Sequence, residues 1–262
     1  MSLFNTVFNK SSIYDMFFIN VKTVLEYPTV DVLKENKPEM YERWKYLSKT
    51  KFNVDLSCGD EDLIYHTYIE NAVRYPEFVK VVAITYAKLY NEDGNIKRFF
   101  KKICYENEFD TIQTFLDILQ ELSSDGVQST PQYFPTLCGY NIISHDIPLL
   151  IKKYLQYRKE LTTIPQIPVI LKRTLDSKPW ESVVVDVMNV WKFNGYNYIS
   201  LMLIADFMGL KKTQDLMTQT ELSLYYWNNY EDNPQETINF VATQSANQTN
   251  LVIQLMNELR QR

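Results

Sequence analysis

The chain has 262 residues, of which 45 % are hydrophobic and 23 % charged, and a formal charge of −5. That length and apolar content support a full core, and the acidic balance argues against nucleic-acid binding by the whole surface, though it leaves room for a local basic groove. Only three cysteines (Cys58, Cys104, Cys138) and two histidines (His66, His145) occur, which excludes a disulfide framework and a histidine-rich metal centre. With no apolar run near the ~18 residues of a membrane span and no signal peptide, the sequence reads as a soluble, cytoplasmic protein with no membrane partner.

After a mixed lead-in at 1–14, residues 16–24 (Met-Phe-Phe-Ile-Asn-Val-Lys-Thr-Val) read as a buried strand. Its two polar interruptions, Asn20 and Lys22, fall two apart and so share a face. Polar side chains on an otherwise apolar strand are costly to bury, which marks them as a candidate site. Residues 30–50 have helical spacing broken by Pro38, and 54–59 read as a loop. A helix is expected from Asp60, as N-cap, to Tyr75, with Leu63, Ile64, Ile69 and Val73 turned inward.

Residues 78–90 are β-branched and aromatic, hence a strand. Asn91-Glu92-Asp93-Gly94 is a turn signal, and 96–103 return as the hairpin partner. An amphipathic helix is expected over 108–122 and a loop over 123–135. A short strand over 136–140 and a helix from Pro148 to about Glu160 come next. Residues 164–181 read as a proline-punctuated loop and 183–187 as another buried strand. Helices are expected over 199–208, 218–230 and 234–260. Strands alternating with helices predict an α/β sheet of about five strands, one domain over 1–262 with a helical insertion at about 30–75.

Several segments come in an order that belongs to a known pattern: Tyr75-Pro76-Glu77-Phe78-Val79-Lys80-Val81-Val82; Cys138-Gly139-Tyr140-Asn141-Ile142 with Asp146-Ile147-Pro148-Leu149-Leu150; and Lys178-Pro179-Trp180-Glu181. Asp186-Val187-Met188, Trp191-Lys192-Phe193, Ser200-Leu201 and Met208-Gly209-Leu210 complete it. Over residues 15–258 the chain resembles the 3′–5′ exonucleases related to the proofreading domain of family B DNA polymerases. These belong to the DEDD exonucleases, have a ribonuclease H-like fold, and are common in bacteria and their phages. The resemblance implies four carboxylates converging on two Mg²⁺ or Mn²⁺ ions, hard cations that prefer oxygen ligands and activate water at a scissile phosphate.

Carried over residue by residue, the family's Asp-x-Glu falls on Asn20-Val21-Lys22, and its second acid is kept as Asp146. Its Tyr-x-x-x-Asp falls on Phe240-Val241-Ala242-Thr243-Gln244, to within a residue or so. One carboxylate of four survives. Lys22 would repel a divalent cation at about 4 Å by on the order of several kcal/mol, even at an effective dielectric of about 20. The expectation is that Lys22 replaces the cation and pairs with Asp146, that no cofactor is bound, and that Mg²⁺ or Mn²⁺ matters only if an active nuclease uses non-standard ligands.

The resemblance therefore implies an inactive exonuclease-like protein repurposed for binding, phage-encoded, acting in the host cytoplasm or a virion. Its partner would be a protein or phage assembly, or single-stranded nucleic acid. For the latter, the residues singled out are Lys97, Arg98, Lys101 and Lys102, with Asn141 and Asp186. The basic run interleaves charge with Phe99 and Phe100, which suits backbone attraction and base stacking; an edge strand with lysine gatekeepers has the same pattern. Asp186 reads equally as structural or substrate-facing, and His145 as a loop histidine or a general base. The tract Tyr225-Tyr226-Trp227-Asn228-Asn229-Tyr230 reads as a packing face of its helix.

Overall fold

Strand β1 (Met16–Leu25) is buried along its whole length in a computed structural model of the protein, which describes residues 12–57, 59–124, 135–176, 184–192, 195 and 197–260. Burial on both faces explains its near-continuous apolar run. Phe17, Ile19 and Val21 enter one core cluster, while Phe18 and Val24 enter clusters on the opposite face.

Among the described residues the sheet has five strands in the order β3-β2-β1-β4-β5. Strand β2 (Val79–Glu92) is antiparallel to both β1 and β3 (Asn95–Ile103). Strands β4 (Thr136–Gly139) and β5 (Val184–Asp186) run parallel to β1. This is the mixed, helix-flanked α/β sheet of about five strands that the sequence predicts, and its strand order is consistent with a ribonuclease H-like arrangement.

Helices α1 (Val30–Asn36), α2 (Pro38–Lys51) and α3 (Glu61–Ala72) form the insertion between β1 and β2. Thr29 and Asp60 cap α1 and α3 through their side chains, and Pro38 opens α2 where a missing N–H costs least. The insertion packs around Trp44, with the rings of Tyr68 and Phe78 set edge-on at 5.4 Å. Leu63 is not turned inward as predicted but is 44 % exposed; Tyr68 and Ala72 occupy the buried stripe with Ile69.

Helices α4 (Glu108–Ser124), α5 (Asp146–Tyr157) and α6 (Val169–Asp176) cover the Phe17 face. The opposite face is covered by α7 (Val187–Trp191), α8 (Leu201–Met208), α9 (Gln219–Tyr230) and α10 (Pro234–Arg260). Helix α5 starts at Asp146, two residues before the predicted Pro148. Helix α6 lies inside what reads as a proline-rich loop, because Pro165 and Pro168 both precede it and stop nothing within it. The strand expected over 183–187 is confined to 184–186 in the described residues, since the Asp186 carboxylate caps Met188 and turns the β-branched run into α7. The rest of the predicted loop at 123–135, the segment 177–183 and Phe193 lie outside the described residues, apart from Ser123, Ser124 and Pro135. No helix among the described residues is long and apolar enough to cross a membrane.

Gly139 ends β4 where the chain passes close to β1. A Cβ added there would meet the Ile19 carbonyl oxygen at 2.7 Å and would also run into Ile142 Cγ2. Because the first contact is with backbone, it cannot be relieved by a rotamer change. Gly139→Ala is expected to lower stability by about 1–3 kcal/mol, read as the shift of the denaturant midpoint at unchanged slope.

Candidate functional site

The site begins with the shortness of β4. It pairs with β1 only at Met16–Phe18, so β1 runs on past it and its edge at 20–22 borders a gap. Ligand sites in open α/β sheets form at such carboxyl ends of strands, where the chain order switches direction. Beyond Gly139 the chain turns through Asn141, whose φ is 60°. The turn is held from beneath by Asp186, whose carboxylate accepts the N–H groups of Asn141 (2.9 Å), Ile143 (3.1 Å) and Met188 (3.1 Å). Burial raises the Asp186 carboxyl from its ordinary range, against the lowering effect of these amide bonds. Asp186 is thus occupied in structure.

The turn delivers Asp146 at the start of α5, only 3 % exposed, against β1. Its Oδ2 accepts the Val21 N–H at 3.0 Å, a bond that β4 would satisfy if it were longer. Its Oδ1 accepts from His145 Nδ1 at 2.7 Å. Burial pulls the His145 imidazole down, but the hydrogen bond and charge of Asp146 outweigh it and hold its pKa above the ordinary value.

Asn20 and Lys22 face α10. Asn20 Oδ1 accepts from the Ser245 hydroxyl at 2.9 Å. Lys22 Nζ donates to Gln248 Oε1 at 2.8 Å, not to Asp146 as the sequence led one to expect: the acid is engaged by Val21 and His145, and the ammonium has turned to the helix. Asp146 still acts on it through space. Burial pushes the Lys22 pKa down to about 8, and the nearby Asp146 charge limits the fall.

Gln244 and Phe240 do not join this group. Gln244 accepts the Met217 N–H at 3.0 Å, and Phe240 lies against Tyr225 with ring centroids 4.1 Å apart. The residues of α10 that hydrogen-bond to the polar pair of the strand are Ser245 and, one turn after Gln244, Gln248. The sequence carries a signal for them: from Gln244 to Asn250 six of seven residues are polar, within a helix whose other buried positions are largely apolar.

Asn20, Lys22, His145, Asp146 and Gln248 lie in a cleft of about 860 Å³. Glu70 and Arg74, at and just beyond the end of α3, line it as well, so the insertion supplies one wall. Tyr140, Asn141 and Tyr198 add hydrogen-bonding edges. The basic run lies elsewhere, on the edge strand β3. Lys97 pairs with Glu92, Arg98 donates to Asn250 at 3.1 Å and Lys102 to Thr243 at 3.5 Å; neither these nor Lys101 line the cleft.

The donor set does not fit a pair of divalent ions. Among the described residues no three His, Cys, Asp or Glu side chains gather where they could hold a metal. Both oxygens of the one central carboxylate are engaged, the Asn20 carbonyl is taken by Ser245, and the Lys22 ammonium sits where a second cation would be repelled. What the arrangement offers is a polar, partly cationic recess with fixed hydrogen-bonding groups. No family model matches the chain, and no curated protein or solved structure matches it either.

Below pH about 8 Lys22 is charged in both folded and unfolded chains, and its burial opposes folding in full. Between about 8 and 10.5 the folded chain loses the proton first, the unfolded chain binds more protons, and stability rises with pH. Lys22→Met is therefore expected to stabilise the protein near neutral pH by up to about 3 kcal/mol, with the gain fading as pH climbs through that window. Urea titrations of both proteins across the range measure it; a gain independent of pH would contradict the assignment.

Proposed function

We propose that the protein is a degenerate relative of 3′–5′ exonucleases that works by binding rather than by catalysis, with its cleft engaging a protein partner. The observation that supports this reading most directly is the way the polar groups of β1 are closed off. Asn20 is bonded to Ser245 and Lys22 to Gln248, so positions that would have to present oxygen ligands to metal are tied into the last helix. The net charge of −5 and the distribution of the basic run, away from the cleft, favour a protein over single-stranded nucleic acid as partner. The resemblance points to a phage, with host cytoplasm or virion as the setting.

On this reading the protein gives no turnover of 3′-ended single strands with Mg²⁺ or Mn²⁺. Turnover that Asp146→Ala abolishes would overturn it in favour of a nuclease with unusual ligands. Single-strand binding measured in a salt titration is expected to be absent even at low salt, and tight binding there would shift the partner to nucleic acid. The geometry also predicts which reversion matters. Asn20→Asp, Lys22→Glu and Gln248→Asp together are expected to create Mn²⁺ affinity detectable by calorimetry, whereas the same set with Gln244→Asp in place of Gln248→Asp is not, because residue 244 faces the segment around Met217.

A further inference from the structure

Strand β3 is one edge of the sheet. The loop before it has two residues, Asp93 and Gly94, both at positive φ, and the register pairs Glu92 with Asn95. In such a hairpin the residues flanking the loop exchange both backbone hydrogen bonds, and every second pair along the ladder does the same. Lys97, Phe99 and Lys101 therefore bond β2, while the N–H and C=O groups of Ile96, Arg98, Phe100 and Lys102 point outward. Among the described residues none of those outward groups has a backbone or side-chain partner.

The side chains along this edge select what can pair with it. Arg98 and Lys102 donate to the neutral acceptors Asn250 and Thr243, so α10 draws both over one face of the sheet and the main-chain edge stays uncovered. Among the described residues no carboxylate stands within ion-pair reach of Arg98, Lys101 or Lys102; only Lys97 is offset, by Glu92 beside the loop. On the other face Phe99 rests against Tyr86, with ring centroids 5.9 Å apart, and is still 50 % exposed. Basic residues on an edge discourage pairing between identical copies, which would bring like charges together. The same charges favour a strand of opposite sign, because oppositely charged neighbours across a ladder attract.

We infer that β3 is a docking edge for an acidic, extended segment of a partner protein, which joins the sheet as an added strand. The main chain of that segment bonds the outward N–H and C=O groups of Ile96, Arg98, Phe100 and Lys102. Its carboxylates recur at every second position, on the face of Arg98 and Lys102, and the apolar side chains between them cover Phe99. Backbone bonding of this kind supplies affinity, and the alternating side chains supply specificity. A nucleic-acid strand could answer the charge but carries no ladder of amide N–H and C=O groups. The contact lies apart from the Asp146 cleft and does not depend on what that cleft holds.

The test uses the full chain and the peptide acetyl-Glu-Val-Glu-Val-Glu-Val-Glu-amide, with amide hydrogen exchange read by NMR. Binding is expected with a dissociation constant of about 0.1–1 mM. With peptide at about ten times that constant, the amides of Ile96, Arg98, Phe100 and Lys102 are expected to exchange about tenfold more slowly. Those of Lys97, Phe99 and Lys101, already bonded to β2, are expected to change little. Two further peptides carry one N-methyl group each, on a central glutamate or on the valine beside it. Because alternate N–H groups of a strand face its neighbour, one methylation is expected to abolish binding and the other to spare it. Arg98→Glu with Lys102→Glu is expected to weaken the parent peptide about tenfold or more, with slow exchange at Lys97, Phe99 and Lys101 showing that the hairpin is intact. Binding that responds alike to the two methylations, no slowing of the four outward amides, self-association of the chain through β3, or an oligothymidylate that slows the same amides would overturn the assignment.

Discussion

An amide and an ammonium on the buried face of the central strand have to find partners, and the rest of the architecture follows from how they do so. Leaving Asn20 and Lys22 unbonded inside the sheet would cost several kcal/mol. The last helix meets that demand with a polar stretch at its middle, where Ser245 bonds Asn20 and Gln248 bonds Lys22. The same helix is apolar on either side of that stretch, with Val241 and Ala242 in one core cluster and Leu251, Val252 and Leu255 in another. Its position against β1 is therefore set twice, by apolar contact and by hydrogen bonding, and slippage by a turn would break both.

The cleft is the other consequence of β1 outlasting β4. Where the ladder stops, Asp146 substitutes for a strand by accepting the Val21 N–H, and Asp186 holds the intervening turn through three backbone amides. Two acids in the region are thus spent on backbone order. The electrostatics agree: Lys22 is kept from a full loss of basicity by Asp146 rather than by an ion pair with it, and His145 leans on the same carboxylate. A carboxylate shared among an amide, an imidazole and a nearby ammonium is a poor candidate for strong metal binding.

Away from the cleft, buried charge is handled by local pairing. Lys153 and Glu108 meet at 2.9 Å with the Tyr157 hydroxyl donating to the same carboxylate at 2.6 Å, which ties α4 to α5 beneath the sheet. Lys80 is enclosed by the rings of Tyr226, Trp227 and Tyr230 at 4.5, 4.5 and 5.2 Å, and burial pushes its pKa down to about 8. This explains the aromatic tract on α9. It is a packing face, and what it packs around includes an ammonium.

Much of the fold was legible in the residues themselves. The near-continuous apolar run of β1, the Asn91–Gly94 turn, capping by Asp60 and the amphipathic stripe of α4 depend on neighbours within a few positions, and local spacing determines them. The sequence also determined that Asn20 and Lys22 share a buried face and that no acid stands on α10 between Glu236 and Glu258. It did not reveal α6, where prolines outside a helix read as prolines within a loop, nor the ending of β5 at Asp186, where a cap overrides a β-branched run. Tertiary structure alone decided that Lys22 bonds Gln248 rather than Asp146, that Gln244 turns to Met217, and that the insertion walls the cleft. Each of these depends on the rotation and depth of a helix packed against a strand more than 200 residues earlier or on an approach between distant segments, and sequence periodicity gives the face of an element but not its phase against a remote partner.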